Sequence, residues 1–152
     1  MGQFSLSANF ECAPATMRDY LGTVSNFSLI TDPDLEIEIL EAPEFVTAGE
    51  EISFSIVTGG FRQVLKHRWT KVTDSQIIAE QVMGPAQSWE YTQTISPAAG
   101  GCLLQEQILF EPPGGMLGVM VTEVNIMESL RTGTAIRHQL LAEQLIAEQL
   151  AK

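Results

Sequence analysis

Apolar and polar residues alternate strictly over residues 3–12, with Phe4, Leu6, Ala8 and Phe10 on one side and Gln3, Ser5, Ser7, Asn9 and Glu11 on the other. A period of two predicts a strand buried on one face only. The pattern changes at Pro14, a residue suited to a first helical turn, and Met17, Tyr20, Leu21 and Val24 then fall at helical spacing as far as about residue 29. Gly22, followed by Thr23, Ser25 and Asn26, divides this stretch into two short helices, and residues 31–34 form a turn. Alternation returns over residues 35–40, 51–57, 63–72, 77–83, 88–96 and 102–111, punctuated by Gly59-Gly60, Thr73-Asp74-Ser75, Gly84-Pro85 and Pro97-Ala98-Ala99-Gly100-Gly101. Strands joined by such short turns pair antiparallel, because a parallel pair needs a long crossover.

The segment Pro112-Pro113-Gly114-Gly115 ends the strands, and the proline-free residues 116–152 read as one amphipathic helix. At 3.6 residues per turn, Met116, Met120, Met127, Leu130, Leu141 and Leu145 share a stripe in which Glu123 and Thr134 are the odd members. A straight helix of that length would extend roughly 55 Å, more than a domain of this size. It is therefore expected to protrude, fray or kink at Gly133. The predicted architecture is α+β: a seven-stranded curved antiparallel sheet in the order β-αα-β6-α, wrapped around the long C-terminal helix.

Composition narrows the partners. The 152 residues suit a single domain spanning 1–152, and an apolar fraction of 45% is that of a folded chain. The 19 acidic against 8 basic residues leave a net charge of −11, which disfavours nucleic acid and anionic membrane surfaces. No apolar run approaches the ~20 residues of a membrane span, and no secretory leader pattern opens the chain. The expected compartment is cytoplasmic. Cys12 and Cys102 fit a reducing compartment, and if the first and last strands pair antiparallel the two become inward-facing neighbours, as reduced thiols or, alternatively, a disulfide.

Alternation also assigns an inner wall. In the sixth strand it comprises Trp89, Tyr91, Gln93 and Ile95, and in the last strand Leu104, Glu106, Ile108 and Phe110. Glu106 and, from the helix, Glu123 are thereby expected to point carboxylates into an apolar interior, where each needs a cation or a proton. His67, Arg68, Arg131 and Arg137 are the candidate partners. Three roles stay open for these carboxylates: a structural ion pair or water-reaching group, a polar anchor for a ligand, or a general acid or base. Met116, Met120 and Met127 are either adaptable pocket lining or core filler, and Trp89 and Tyr91 either stack on a ligand ring or pack the core. His67 and His138 have no ligand-spaced Cys or carboxylate near them, so no metal site is expected. Neither a nucleophile elbow nor a phosphate-binding loop is found, and no cofactor is implied.

Several residue groups in this order resemble the birch-pollen-allergen-like, or START, superfamily, whose fold is called helix-grip. They are Ala48-Gly49 before the third strand, Trp69 in the fourth, Gly84-Pro85 followed by Trp89, Gly100-Gly101, Phe110-Glu111-Pro112-Pro113-Gly114 and, in the helix, Arg137-His138. The bacterial SRPBCC, or polyketide cyclase/dehydrase-like, proteins are the most similar group, and the resemblance covers nearly the whole chain. Departures are specific. Tyr91 and Gln93 stand where relatives often carry histidines, Glu106 where aspartate is usual, and Thr134 where an aromatic often precedes the Arg-His pair. The resemblance implies a site for an apolar or amphipathic small molecule between sheet and helix.

The expected lining is Trp69, Trp89, Tyr91, Gln93, Glu106, Ile108, Met116, Met120, Glu123, Met127 and Thr134. Three functions are compatible with it: binding of a lipid, isoprenoid or polyketide-like molecule; a polyketide cyclase, aromatase or dehydratase using an inward carboxylate; or a protein-interaction module with no ligand. The helical repeat over residues 142–150 is apolar on more than one side, which makes a homodimer through this tail a further expectation.

Overall fold

A computed structural model of the chain describes residues 1–150. Its elements are β1 (Gly2–Phe10), α1 (Pro14–Leu21), α2 (Phe27–Ile30), β2 (Glu38–Glu41), β3 (Glu51–Thr58), β4 (Phe61–Val72), β5 (Gln76–Met83), β6 (Ser88–Ala98), β7 (Gly101–Glu111), α3 (Gly115–Met120) and α4 (Glu123–Leu150). All strands pair antiparallel in one sheet of order β1-β7-β6-β5-β4-β3-β2, so the first strand closes against the last. This is the expected α+β arrangement, with the long helix laid across the sheet.

Register converts the alternation into rows across the concave face, since directly paired residues present side chains to the same side. One row runs Phe4, Ile108, Tyr91, Ala79 and Trp69; the next runs Leu6, Glu106, Gln93 and Ile77; a third holds Ala8, Leu104 and Ile95; and Phe10, Cys102 and Pro97 follow. Two apolar clusters form on this face. In the larger, Phe10, Cys12, Ile95, Cys102 and Leu104 pack with Met17, Leu21 and Ile30 and with Leu141 and Leu145 of α4. In the smaller, Phe4, Ile108 and Phe110 meet partly buried Trp89, Tyr91, Ile126, Met127 and Leu130. The thiol sulfurs of Cys12 and Cys102 lie 3.9 Å apart, as the predicted pairing of first and last strands requires, and both are buried free thiols.

One prediction is corrected. The stretch 116–150 is two helices, not one, because the chain is extended at Val121 and α4 restarts at Glu123. Thr122 and Asn125 account for the restart: the Thr122 hydroxyl oxygen accepts from the Asn125 backbone N–H at 3.2 Å, and Asn125 Oδ1 accepts from the Thr122 hydroxyl at 2.7 Å. This reciprocal cap nucleates a new helix and resets its rotational phase. Met116 and Met120 consequently turn outward, 88% and 78% exposed, and Glu123 is exposed as well. None of the three faces the interior. α4 then continues through Gly133 without a break, and the last two residues of the predicted helix lie outside the described part. No helix among the described residues is long and apolar enough to cross a membrane.

Candidate functional site

Glu106 is the most informative side chain on the concave face. It is 1% exposed, and its strand neighbours in the inward phase are Leu104 and Ile108. Arg137 Nε donates to both carboxylate oxygens at 3.2 Å, and His138 Nε2 lies 2.7 Å from Oε1. A carboxylate can only accept, so the proton of that short contact sits on His138 Nε2. Gln93, directly opposite in β6, places its amide nitrogen 3.5 Å from Oε2. Burial alone would raise the Glu106 carboxyl, but the Arg137 charge and the hydrogen bonds from His138 and Arg137 outweigh it and hold the group below the usual carboxylate range.

The surroundings orient this cluster. The Phe10 and His138 rings meet in a T-shaped arrangement, with centroids 5.9 Å apart and planes at 86°. The Arg137 guanidinium carbon stands 5.7 Å from the centre of the Tyr91 ring, within cation–π range. Thr134, one helical turn before His138, is buried. The cluster sits at a boundary. Toward Cys102 the concave face is sealed by α1, α2 and the second half of α4. Toward Phe110, among the described residues, the first turns of α4 approach it, and the inward-facing Trp89, Tyr91 and Met127 remain half-buried.

Of the expected lining, the structure brings Trp89, Tyr91, Gln93, Glu106, Ile108, Met127 and Thr134 to the space between sheet and helix, and Trp69 to the same face farther along. It does not bring Met116, Met120 or Glu123 there. Among the four candidate partners of Glu106, Arg137 is the one engaged. Arg68 pairs with Glu51, Arg131 is exposed, and His67 lies three strands away on β4. The His67 and Phe54 rings meet in a T-shaped arrangement, the His67 Nε2 is buried without a partner, and burial lowers its pKa to about 4. His138 was not among the candidate partners although the signal for it existed, since it lies on the same helical stripe four residues after Thr134 and three before Leu141. Among the described residues no group of three or more His, Cys, Asp or Glu could hold a metal ion.

Two hollows are found away from this face. One, of about 470 Å³, is lined by Glu41, Pro43, Glu50, Glu51, Ser53 and Lys66 among others. The second, of about 330 Å³, lies between α1 and the end of α4 and is lined by Thr16, Asp19, Tyr20, Thr23, Asn26 and Glu148.

No family model matches the chain, and no curated protein matches it in sequence. Solved structures do resemble it. Protein CV1439 from Chromobacterium violaceum superimposes with a TM-score of 0.75 at 13% identity, over 95% of this chain and 98% of its own. The di-domain ARO/CYC StfQ from the steffimycin biosynthetic pathway gives 0.76 at 13% identity, over 99% of this chain and 52% of StfQ. Ara h 8.0201 gives 0.66 at 14% identity, over 95% and 97% of the two chains. Identities this low establish likeness of fold and not of activity. The chain has the helix-grip fold, an open seven-stranded antiparallel sheet with a long C-terminal helix.

Proposed function

We propose that the protein binds a mostly apolar small molecule, of lipid, isoprenoid or polyketide-like character, on the partly open half of the concave face, with the Glu106–Arg137–His138 cluster orienting its polar end. The observation that carries this reading is a carboxylate, 1% exposed and held by Arg137 and His138, at the edge of half-buried aromatic surface. A buried ion pair is poor evidence of a stabilising device, because desolvation offsets most of the attraction. An apolar wall with a few convergent polar groups is what a ligand site requires. Arg137 is not fully covered, and its remaining guanidinium N–H groups are available as donors to a ligand hydroxyl, carbonyl or carboxylate.

A second reading, a cyclase, aromatase or dehydratase of polyketide-like substrates, has one observation in its favour. Arg137 lies between Glu106 and the Tyr91 ring, where it could stabilise charge developing on a substrate carbonyl oxygen. Glu106 is ill suited to donate a proton, being held below the ordinary carboxylate range.

Native mass spectrometry of gently purified protein tests for a co-purified apolar molecule. Titration with a fatty acid, an isoprenoid alcohol and an aromatic polyketide then tests the anchor. Glu106→Gln should weaken the preferred ligand about tenfold, the loss of roughly one charge-assisted hydrogen bond. Glu123→Gln, on the exposed start of α4, should leave affinity unchanged. Equal affinity for wild type and Glu106→Gln would refute the anchor.

A further inference from the structure

The short helix α3 is apolar and uncovered. Met116, Val119 and Met120 recur at i, i+3 and i+4, which puts them on one stripe, and they are 88%, 79% and 78% exposed. Leu117 is exposed as well, and among the described residues none from α3 joins either apolar cluster. From Pro112 to Thr122 no side chain is charged, in a chain with 19 acidic and 8 basic residues. That is not the composition of a solvated connection, and contiguous apolar surface of this kind marks a place of contact.

The surface it would cover lies between its own two anchors. Trp89, Tyr91 and Met127 face inward yet stay half-buried, and both ends of α3 are fixed to the walls that carry them. At one end Gln87 holds the chain twice. Its backbone N–H donates to the Glu111 carbonyl at 3.0 Å, and its side-chain amide donates to the Pro112 carbonyl at 2.9 Å. Trp89 follows two residues later on β6, paired with Phe110. At the other end the Thr122–Asn125 cap starts α4, whose first turns supply Ile126 and Met127. Between the anchors the backbone has room to turn: Gly115 sits at φ +64° with open space where a Cβ would stand, and Val121 is extended.

We propose that α3 is a lid, which rolls about these two points and lays Met116, Val119 and Met120 over an apolar molecule seated against Trp89, Tyr91 and Met127. The lid rests on the binding reading above and adds to it the residues that close the site. Closure over an empty site would leave the methionines facing a void, without the contacts that burial brings. A ligand fills that space and so favours the closed arrangement. Flexible thioether side chains suit the task, because they adapt to guests of different shape.

The test uses anilinonaphthalene sulfonate, an aromatic anion whose sulfonate suits the unused N–H groups of Arg137. The Trp89 indole and the methyl signals of Met116 and Met120 should move along one saturation curve as it is added. Peroxide oxidation of Met116 and Met120, fast in the free protein, should slow several-fold at saturation. The double variant Met116→Ser/Met120→Ser should keep its melting temperature and weaken the probe about tenfold, the worth of partly burying two such side chains. Leu150→Ser, at an equally exposed position at the far end of α4, should change neither. If Trp89 saturates while both methionines keep their signals and their oxidation rates, the lid is overturned and binding on the concave face stands. If Trp89 does not respond, the binding reading fails and the lid with it. Methionine shifts without Trp89, or shifts that follow protein concentration instead of probe, would place the stripe against the probe alone or a second copy of the chain, and would also overturn the lid.

Discussion

The two ends of the concave face are built from the same strands and the same helix, yet only one is sealed. At the end holding Phe10, Cys102, Leu104 and Ile95, two short helices and the second half of α4 bring Met17, Leu21, Ile30, Leu141 and Leu145 into one buried cluster. At the other end, Trp89, Tyr91, Met127 and Leu130 stay partly covered, and the segment that continues the chain from the sheet, α3, turns its methionines to solvent. Glu106, Arg137 and His138 mark the line between them. Packing fills one half of the grip with the protein's own side chains. The other half keeps apolar surface that no described residue fully covers, next to the charged cluster.

The comparison breaks most readily at its dividing line. Removing the carboxylate by Glu106→Leu leaves the Arg137 charge largely buried without its partner and should cost about 3–5 kcal/mol in urea unfolding. The double variant Glu106→Leu/Arg137→Met should recover most of that, because the apolar pair has no charge to desolvate. The pair also has an acid signature. Its folded pKa lies below the ordinary 4.5, so its contribution is complete above that pH and is lost as pH falls through the lower folded value.

Next in size is the contrast between the ends. Leu104→Ala or Leu141→Ala at the sealed end should cost about 3 kcal/mol each by cavity formation and leave ligand affinity unaltered. Met127→Ala at the open end should cost about 1 kcal/mol and weaken the ligand. Equal stability losses at both ends would mean they are equally packed.

His67 supplies a smaller, pH-dependent effect. It stays neutral in the fold with a pKa of about 4 against 6.5 when free, so the unfolded chain takes up the proton first. Stability should therefore fall by on the order of 2 kcal/mol as pH drops from 6.5 toward 4, and His67→Phe should remove that slope. The smallest effect belongs to α3: Met116→Ser and Met120→Ser should each change stability by less than about 0.5 kcal/mol, as exposed positions do.

The sheet was legible because a strand's side chains alternate with a period of two, and one buried face leaves no freedom in assigning them. Trp89, Tyr91, Gln93 and Ile95 lie directly opposite Phe110, Ile108, Glu106 and Leu104, the two sets read as inward from alternation alone. The start of the last helix was misread for an equally local reason. Projecting one helical stripe from Met116 to Leu145 presumes unbroken phase, and Thr122 with Asn125 restarts it. The cap was present in the sequence, but it was outweighed by the apolar period on either side. His138 shows another limit: its place on the stripe was readable, whereas its 2.7 Å approach to Glu106 depends on how α4 crosses β7, which no local pattern records. The hollow of Asp19, Tyr20 and Glu148 joins residues over 120 positions apart and becomes visible only in three dimensions.

The most direct measurement is a ligand titration read residue by residue, with amide and tryptophan indole shifts followed as an apolar ligand identified by native mass spectrometry is added. The predicted result is saturable change at Trp89, Tyr91, Met127 and Arg137, with Cys102, Leu104 and Leu141 unmoved. Saturable change centred on the sealed end, or no saturable change on the concave face at all, would contradict it.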